Sequence, residues 1–151
     1  QELSELFQVR AALAGLRARW LAEDPLRHER VASLAAPIAE LARLSEQPDQ
    51  HDQYVSTALE ISRRLTELLS NRWLRSMMDS LSLQTTRYAR LALSTPAGRR
   101  KSARRWRELL ELIRAGKAEQ AQELATRISM ATHAAAAKAV RARRGQSADA
   151  S

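Results

Sequence analysis

Cysteine is absent from this 151-residue chain. That excludes a disulfide scaffold, a thiolate nucleophile and any cysteine-ligated metal or cluster. Glycine and proline are scarce, at four each, and no glycine-rich loop is present to cradle a phosphate. Valine and isoleucine together number only eight. Strands favour β-branched and aromatic residues, so this shortage argues against a sheet-based fold. No apolar run approaches the roughly 18 residues of a membrane span, and no signal peptide opens the chain. The chain begins at Gln1 rather than Met, which leads to the expectation of a fragment or processed product with something missing upstream. What is abundant is alanine and leucine, 50 residues between them. Both favour helix. The length suits one domain with a real core.

The net charge is +8, from 25 basic and 17 acidic residues. Arginine supplies 22 of the basic residues and lysine only 3. Such a balance permits binding to nucleic acid or acidic ligands, and a compositional bias accounts for it equally well.

Apolar residues recur at three- and four-residue steps almost throughout. Leu3, Leu6, Phe7, Leu13, Leu16, Trp20 and Leu21 define the expected inner face of a first helix. Asp24-Pro25 reads as a cap followed by proline in the first turn of a second helix. Its apolar face would be Val31, Leu34, Ala35, Ile38, Leu41 and Ala42, and residues 45–52 would connect it to the next. A third helix is expected over about 53–69, and a fourth over about 72–93 after the Ser70-Asn71 break. Thr95-Pro96 starts a fifth, which ends at Gly116, and a sixth carries Ala121, Leu124, Ala125 and Ile128. Residues 141–151, RARRGQSADAS, lack any apolar side chain larger than Ala and read as a frayed or disordered basic tail. The expected fold is all-α, an antiparallel bundle of six to seven helices.

Chemistry-bearing patterns are few. His28, His51 and His133 have no partner in metal-binding register on an apolar face. No nucleophile elbow occurs, and the carboxylates are scattered on polar faces, so no enzyme is expected. The run RRKSARRWR, Arg99–Arg107, holds six basic residues in nine. On a helix it places Arg100, Arg104 and Arg107 on one face, with Trp106 pointing inward. It reads as a solvated face or as an anion or nucleic-acid patch.

The order of segments resembles a known family. LFQVRAALAGLRARWLAE is similar to the pattern L-F-E-V-R-x-x-L-E-x-x-A-A-x-L-A-A that opens the FCD (FadR C-terminal) domain of GntR-type transcription regulators. ISRRLTELLSNRWLRSMMDSL resembles the family's F-H-R-x-L-A-x-A-S-G-N-P-L-L-x-x-L, and WRELLELIRAGKA its H-R-x-I-L-x-A-L-R-A-G-D-A. The resemblance spans about residues 3–140 in order. It implies an effector-binding and dimerisation domain over residues 1–140, in the cytoplasm. A winged helix-turn-helix that binds DNA would stand before it, outside this chain.

Many members of the family bind a divalent metal through an Asp and a His on the third helix and a His on each of the last two. Those positions fall here at Ala58, Ser62, Trp106 and Ile128. The resemblance therefore implies no metal and no cofactor, and a pocket lined by those four residues. Arg10, Arg63 and Asn71 match other family positions, and Arg87 and Tyr88 join them on the long fourth helix. An inward Arg would favour a carboxylate ligand, and the metal-free, acyl-binding branch of the broader family offers an apolar alternative. The expected partners are a small organic effector, carboxylate or apolar, and a second copy of the chain. Two alternatives remain: a ligand-free dimerisation scaffold, with the pocket filled by Trp106, and a basic nucleic-acid-binding protein using Arg99–Arg107. The dimer surface is not readable from the sequence, and the wide apolar side of the fourth helix, including Met77, Met78 and Leu83, is one candidate for it.

Overall fold

The computed structural model describes residues 2–149. Those residues form seven α-helices and one 3-10 turn, with no strand. The helices are α1 (Glu2–Glu23), α2 (Arg27–Val31), α3 (Ala35–Ser45), α4 (His51–Glu67), α5 (Arg72–Ala92), α6 (Pro96–Arg114) and α7 (Ala118–Asp149). The all-α class and the helix number agree with the sequence reading.

Several helix ends follow from local chemistry. The Asn71 side chain accepts from the Leu74 amide at 2.9 Å and caps α5. Thr95 does the same for α6, accepting from the Gly98 amide at 3.1 Å, with Pro96 in the first turn. At the other end of α6 the chain turns through Gly116, φ +69°. The Lys117 amide reaches the Leu112 carbonyl and the Gly116 amide reaches Ile113, which closes the helix with the left-handed residue in place. Arg27 of α2 adds a cation there, donating from Nε to the Arg114 carbonyl at 3.0 Å.

The expected second helix is interrupted. Asp24 accepts from the Leu26 amide at 2.8 Å instead of capping a helix at Pro25, and α2 starts only at Arg27. Residues Ala32–Leu34 then form the 3-10 turn before α3. Pro37 explains the break. It carries no N–H, and its ring would press on the Ser33 carbonyl of a continuous helix.

The inner face of α1 also differs from expectation. Phe7, Ala11, Ala14, Gly15, Arg17, Ala18, Leu21 and Ala22 are buried, while Leu3, Leu6, Leu13 and Leu16 are half-buried and Trp20 is exposed. The buried face is rotated by about a quarter turn towards the small residues. The cause is position: α1 packs against α5, α6 and α7, most extensively against α7. At Gly15 a Cβ would lie 2.4 Å from Thr126 Oγ1 and 3.1 Å from the Gln122 carbonyl. Leucines cannot occupy so close a contact.

The core joins this helix to the rest through Phe7, Leu21, Leu34, Leu41, Leu44, Tyr54, Ile61, Met78 and Ile113. Met78 is fully buried, so it belongs to the core and not to a dimer surface. Helix α7 continues to Asp149, through the stretch for which a frayed tail is expected, with residues 141–146 exposed. Ala150 and Ser151 lie outside the described residues.

The Gly15 contact yields a prediction. Alanine favours helix over glycine by about 1 kcal/mol, yet Gly15→Ala should lose about 1–3 kcal/mol through overpacking. Adding Thr126→Ala should recover part of that loss. Denaturant unfolding of the two variants checks both statements.

Candidate functional site

Two arginines of α1 turn towards other helices. Arg17 is 4% exposed. Its Nη1 donates to the Ser62 carbonyl at 3.1 Å, to Ser62 Oγ at 3.2 Å and to Thr66 Oγ1 at 2.9 Å, all on α4. Its Nε is buried with no hydrogen-bond partner. Helices α1 and α4 are not closely packed, so the long arginine side chain spans the space between them. Arg10, two turns earlier, is half-buried and donates from Nη1 to Ser82 Oγ of α5 at 3.2 Å. Among the described residues no carboxylate pairs with either guanidinium.

A buried cation served only by hydroxyls and a carbonyl keeps much of its desolvation cost. Burial pushes Arg17 down to about 9, and the charge of Arg10 acts in the same direction. Burial lowers Arg10 as well. Arg17 therefore remains charged at neutral pH, with the Nε edge of its fork unmatched.

The residues expected from the sequence are distributed unevenly around this arrangement. Ala58 is buried on α4, and Ser62 is half-buried and engaged by Arg17. Ile128 packs on the core from α7. Trp106 packs against Leu34, Ile38, Ile61 and Leu65 beside a void of about 10 Å³, barely room for one water. The tryptophan side of the expected pocket is filled. Arg63 faces solvent, because Glu60 and Glu67 on its own helix pair with it there. Arg87 is exposed and lies 4.6 Å over the ring of Tyr88. Tyr88 is half-buried with its ring edge-on to Phe7, 5.9 Å away. His133 lies 5.1 Å from the same Phe7 ring.

Asn71 serves as the α5 cap and also borders an open cleft of about 350 Å³, together with Trp20, Leu21, Leu69 and Ser70. This cleft lies at the C-terminal ends of α1 and α4. The basic run resolves into two parts. Arg99 is buried and donates to the Leu93 carbonyl at 2.9 Å, while Arg100, Lys101, Arg104 and Arg107 are exposed.

Arg17 was not among the residues the sequence singled out. Two signals pointed to it. It stands seven residues after Arg10, on the same helical face, and it replaces an alanine of the family pattern quoted above.

The FCD domain model matches residues 5–129. The chain belongs to the FCD domain family. FCD domains are regulatory domains of transcription factors rather than catalytic ones. No curated protein and no solved structure matches the chain.

Metal-bearing members of the FCD family set a test for these residues, and the residues do not fit a divalent ion. Ala58, Trp106 and Ile128 offer no lone-pair donor suited to one. Ser62, at the position of a family histidine, directs its Oγ and carbonyl to Arg17. A guanidinium at hydrogen-bond distance repels a second cation.

Arg17→Met removes the unmatched charge while keeping similar bulk. Thermal unfolding at pH 7 should show the variant no less stable than the parent, and by up to a few kcal/mol more stable. The folded-state value of Arg17 lies below the ordinary arginine value. The folded chain thus binds fewer protons than the unfolded chain above pH 9, and stability gains there as pH rises. The parent should therefore close the gap to Arg17→Met between about pH 9 and 10.5.

Proposed function

We propose that this chain is the effector-binding and dimerisation domain of a bacterial GntR/FadR-type transcription regulator. It senses a small organic molecule without the family's metal. The observation that carries this reading is the FCD match over residues 5–129, most of the chain. The open cleft beside Trp20 and Asn71 supports it by offering room.

In this reading the effector binds between helices and favours one arrangement of them. A difference in affinity between two arrangements is what shifts the equilibrium. The shift passes through a homodimer to DNA-binding domains that precede this domain, outside the chain. Trp73, Met77 and Leu83 on α5 are exposed apolar side chains and are the proposed dimer contacts. They replace the expected set that included the buried Met78.

Trp106 favours a second reading. Its packing closes the tryptophan side of the pocket, as a dimerisation scaffold without effector would require.

A thermal-shift screen against small carboxylates, fatty acids, acyl-CoAs and divalent metals separates the two. A ligand that binds only the native state raises the melting temperature by mass action. One organic class should raise it and metals should not; no rise with any compound would favour the scaffold. For assembly, light scattering of the chain should give a dimer mass. Met77→Asp should give a helical monomer, whereas Met78→Asp should lose helicity, since it buries a carboxylate in the core. A dimer that survives Met77→Asp would place the interface elsewhere.

A further inference from the structure

We propose that the stretch Arg100–Arg107 of α6 is a docking face for the phosphate backbone of duplex DNA, carried by Arg100, Lys101, Arg104 and Arg107. The contact is independent of base sequence. It goes beyond the effector reading above and requires no effector.

The charge pattern separates this face from an ordinary solvated one. On α1, α3 and α4 the surface arginines pair with carboxylates of their own helix: Arg19 with Glu23, Arg43 with Glu40, and Arg63 and Arg64 with Glu60. Arg100, Lys101, Arg104 and Arg107 are exposed, and among the described residues none of them has an ion pair. No acidic residue stands between Asp79 and Glu108, and the carboxylates of α6, Glu108 and Glu111, come only after the basic stretch. Arg100 and Arg104 are one turn apart, as are Lys101 and Arg104, and Arg104 and Arg107. Like charges in that register destabilise a helix. A partner that supplies negative charge removes the cost.

The fold sets this stretch towards one end of the bundle. Phe7 of α1 packs edge-on to Tyr88, near the end of α5, and lies 5.1 Å from the ring of His133 on α7. Helix α5 ends at Ala92 and α6 starts at Pro96, so α6 begins at the end where α1 begins. Beyond His133, α7 adds Lys138, Arg141 and Arg144, with no acidic residue between Glu123 and Asp149. Carboxylates at this end, among them Glu2, Glu5 and Asp52, stand on α1 and α4, and Asp52 pairs with Arg90. In the proposed regulator the DNA-binding domain precedes α1, so the basic end is the one next to it.

The side chains present select the partner. The exposed large apolar residues lie on α1, α5 and the turn before α2, none of them on α6. The face therefore lacks the apolar anchor that a protein partner would bury. Trp106, the one aromatic residue of the stretch, packs on the core, so no ring is offered to stack an unpaired base. What remains is a row of cations from Arg100 to Arg107, about 10 Å long at the helical rise. Guanidinium forks in such a row suit successive phosphates of a duplex strand.

The test is fluorescence anisotropy of the 151-residue chain with a short labelled DNA duplex of arbitrary sequence. The dissociation constant should be below about 100 μM at about 50 mM salt, and binding should weaken on the order of a hundredfold by about 200 mM, as the release of about four counterions requires. Arg100→Gln/Arg104→Gln should weaken binding at the lower salt at least about tenfold and reduce the salt slope by about two. Lys101→Gln/Arg107→Gln gives a second reading of similar size, and far-UV circular dichroism checks that each variant keeps its helices. Arg19→Gln/Arg64→Gln removes the same charge from ion-paired positions and should change binding less than about threefold. No binding at the lower salt would overturn the proposal. So would equal losses in the α6 and control variants, which would trace binding to net charge alone. Tighter binding to the separated single strand would overturn the duplex assignment, and tighter binding to polyglutamate would overturn it in favour of an acidic protein. The thermal-shift screen above judges the effector reading independently of all these outcomes.

Discussion

Gly15 lets α1 settle against α7 until the two backbones nearly touch, with Thr126 Oγ1 where a Cβ would otherwise sit. That contact fixes both the depth and the rotation of α1. Alanines at 11, 14, 18 and 22 follow Gly15 into the interior, and the leucines of the same helix move to its flanks. On the side of α1 away from Gly15 the spacing to α4 is wider, and a long side chain is needed to cross it. Arg17 crosses it. The fully buried position of a cation in this bundle is thus a consequence of close packing on the opposite face of the same helix.

A charge in that place has a cost that hydroxyls only partly offset. Stability alone would favour methionine or leucine there. The hydroxyls of Ser62 and Thr66 hold the guanidinium in one orientation. The positions at which the family resemblance implies metal ligands hold Ala58, Ser62, Trp106 and Ile128 in this chain. Ala58 is buried, Ile128 packs on the core, and Trp106 packs against Leu34, Ile38, Ile61 and Leu65.

Much of the fold was legible because it depends on local rules. Asn71 and Thr95 cap their helices through bonds that their side chains can make from sequence position alone. Gly116 marks a left-handed stop for the same reason. The break before α3 was equally local, since Pro37 forbids a continuous helix, but the periodicity of Val31, Leu34 and Ile38 runs through it and hides it. What sequence could not supply was depth. Hydrophobicity ranks Leu13 and Leu16 above Ala11 and Ala14, yet a central helix packed most closely against α7 needs small residues there more than apolar ones. The same blindness applied to the site. Arg63 carried the family pattern but answers to Glu60 and Glu67 on its own helix. Arg17 lay outside the pattern and is buried.

The guanidinium of Arg17 is charged at neutral pH, buried and short of an acceptor. A proton–nitrogen correlation spectrum of the arginine Nε–H groups reads this directly, with Arg17 assigned by the signal lost in Arg17→Met. The account predicts an Arg17 signal that survives at pH 8, where the Nε–H signals of exposed arginines such as Arg100 and Arg104 are lost to solvent exchange. An Arg17 signal that exchanges as fast as theirs would show a solvated side chain and contradict it.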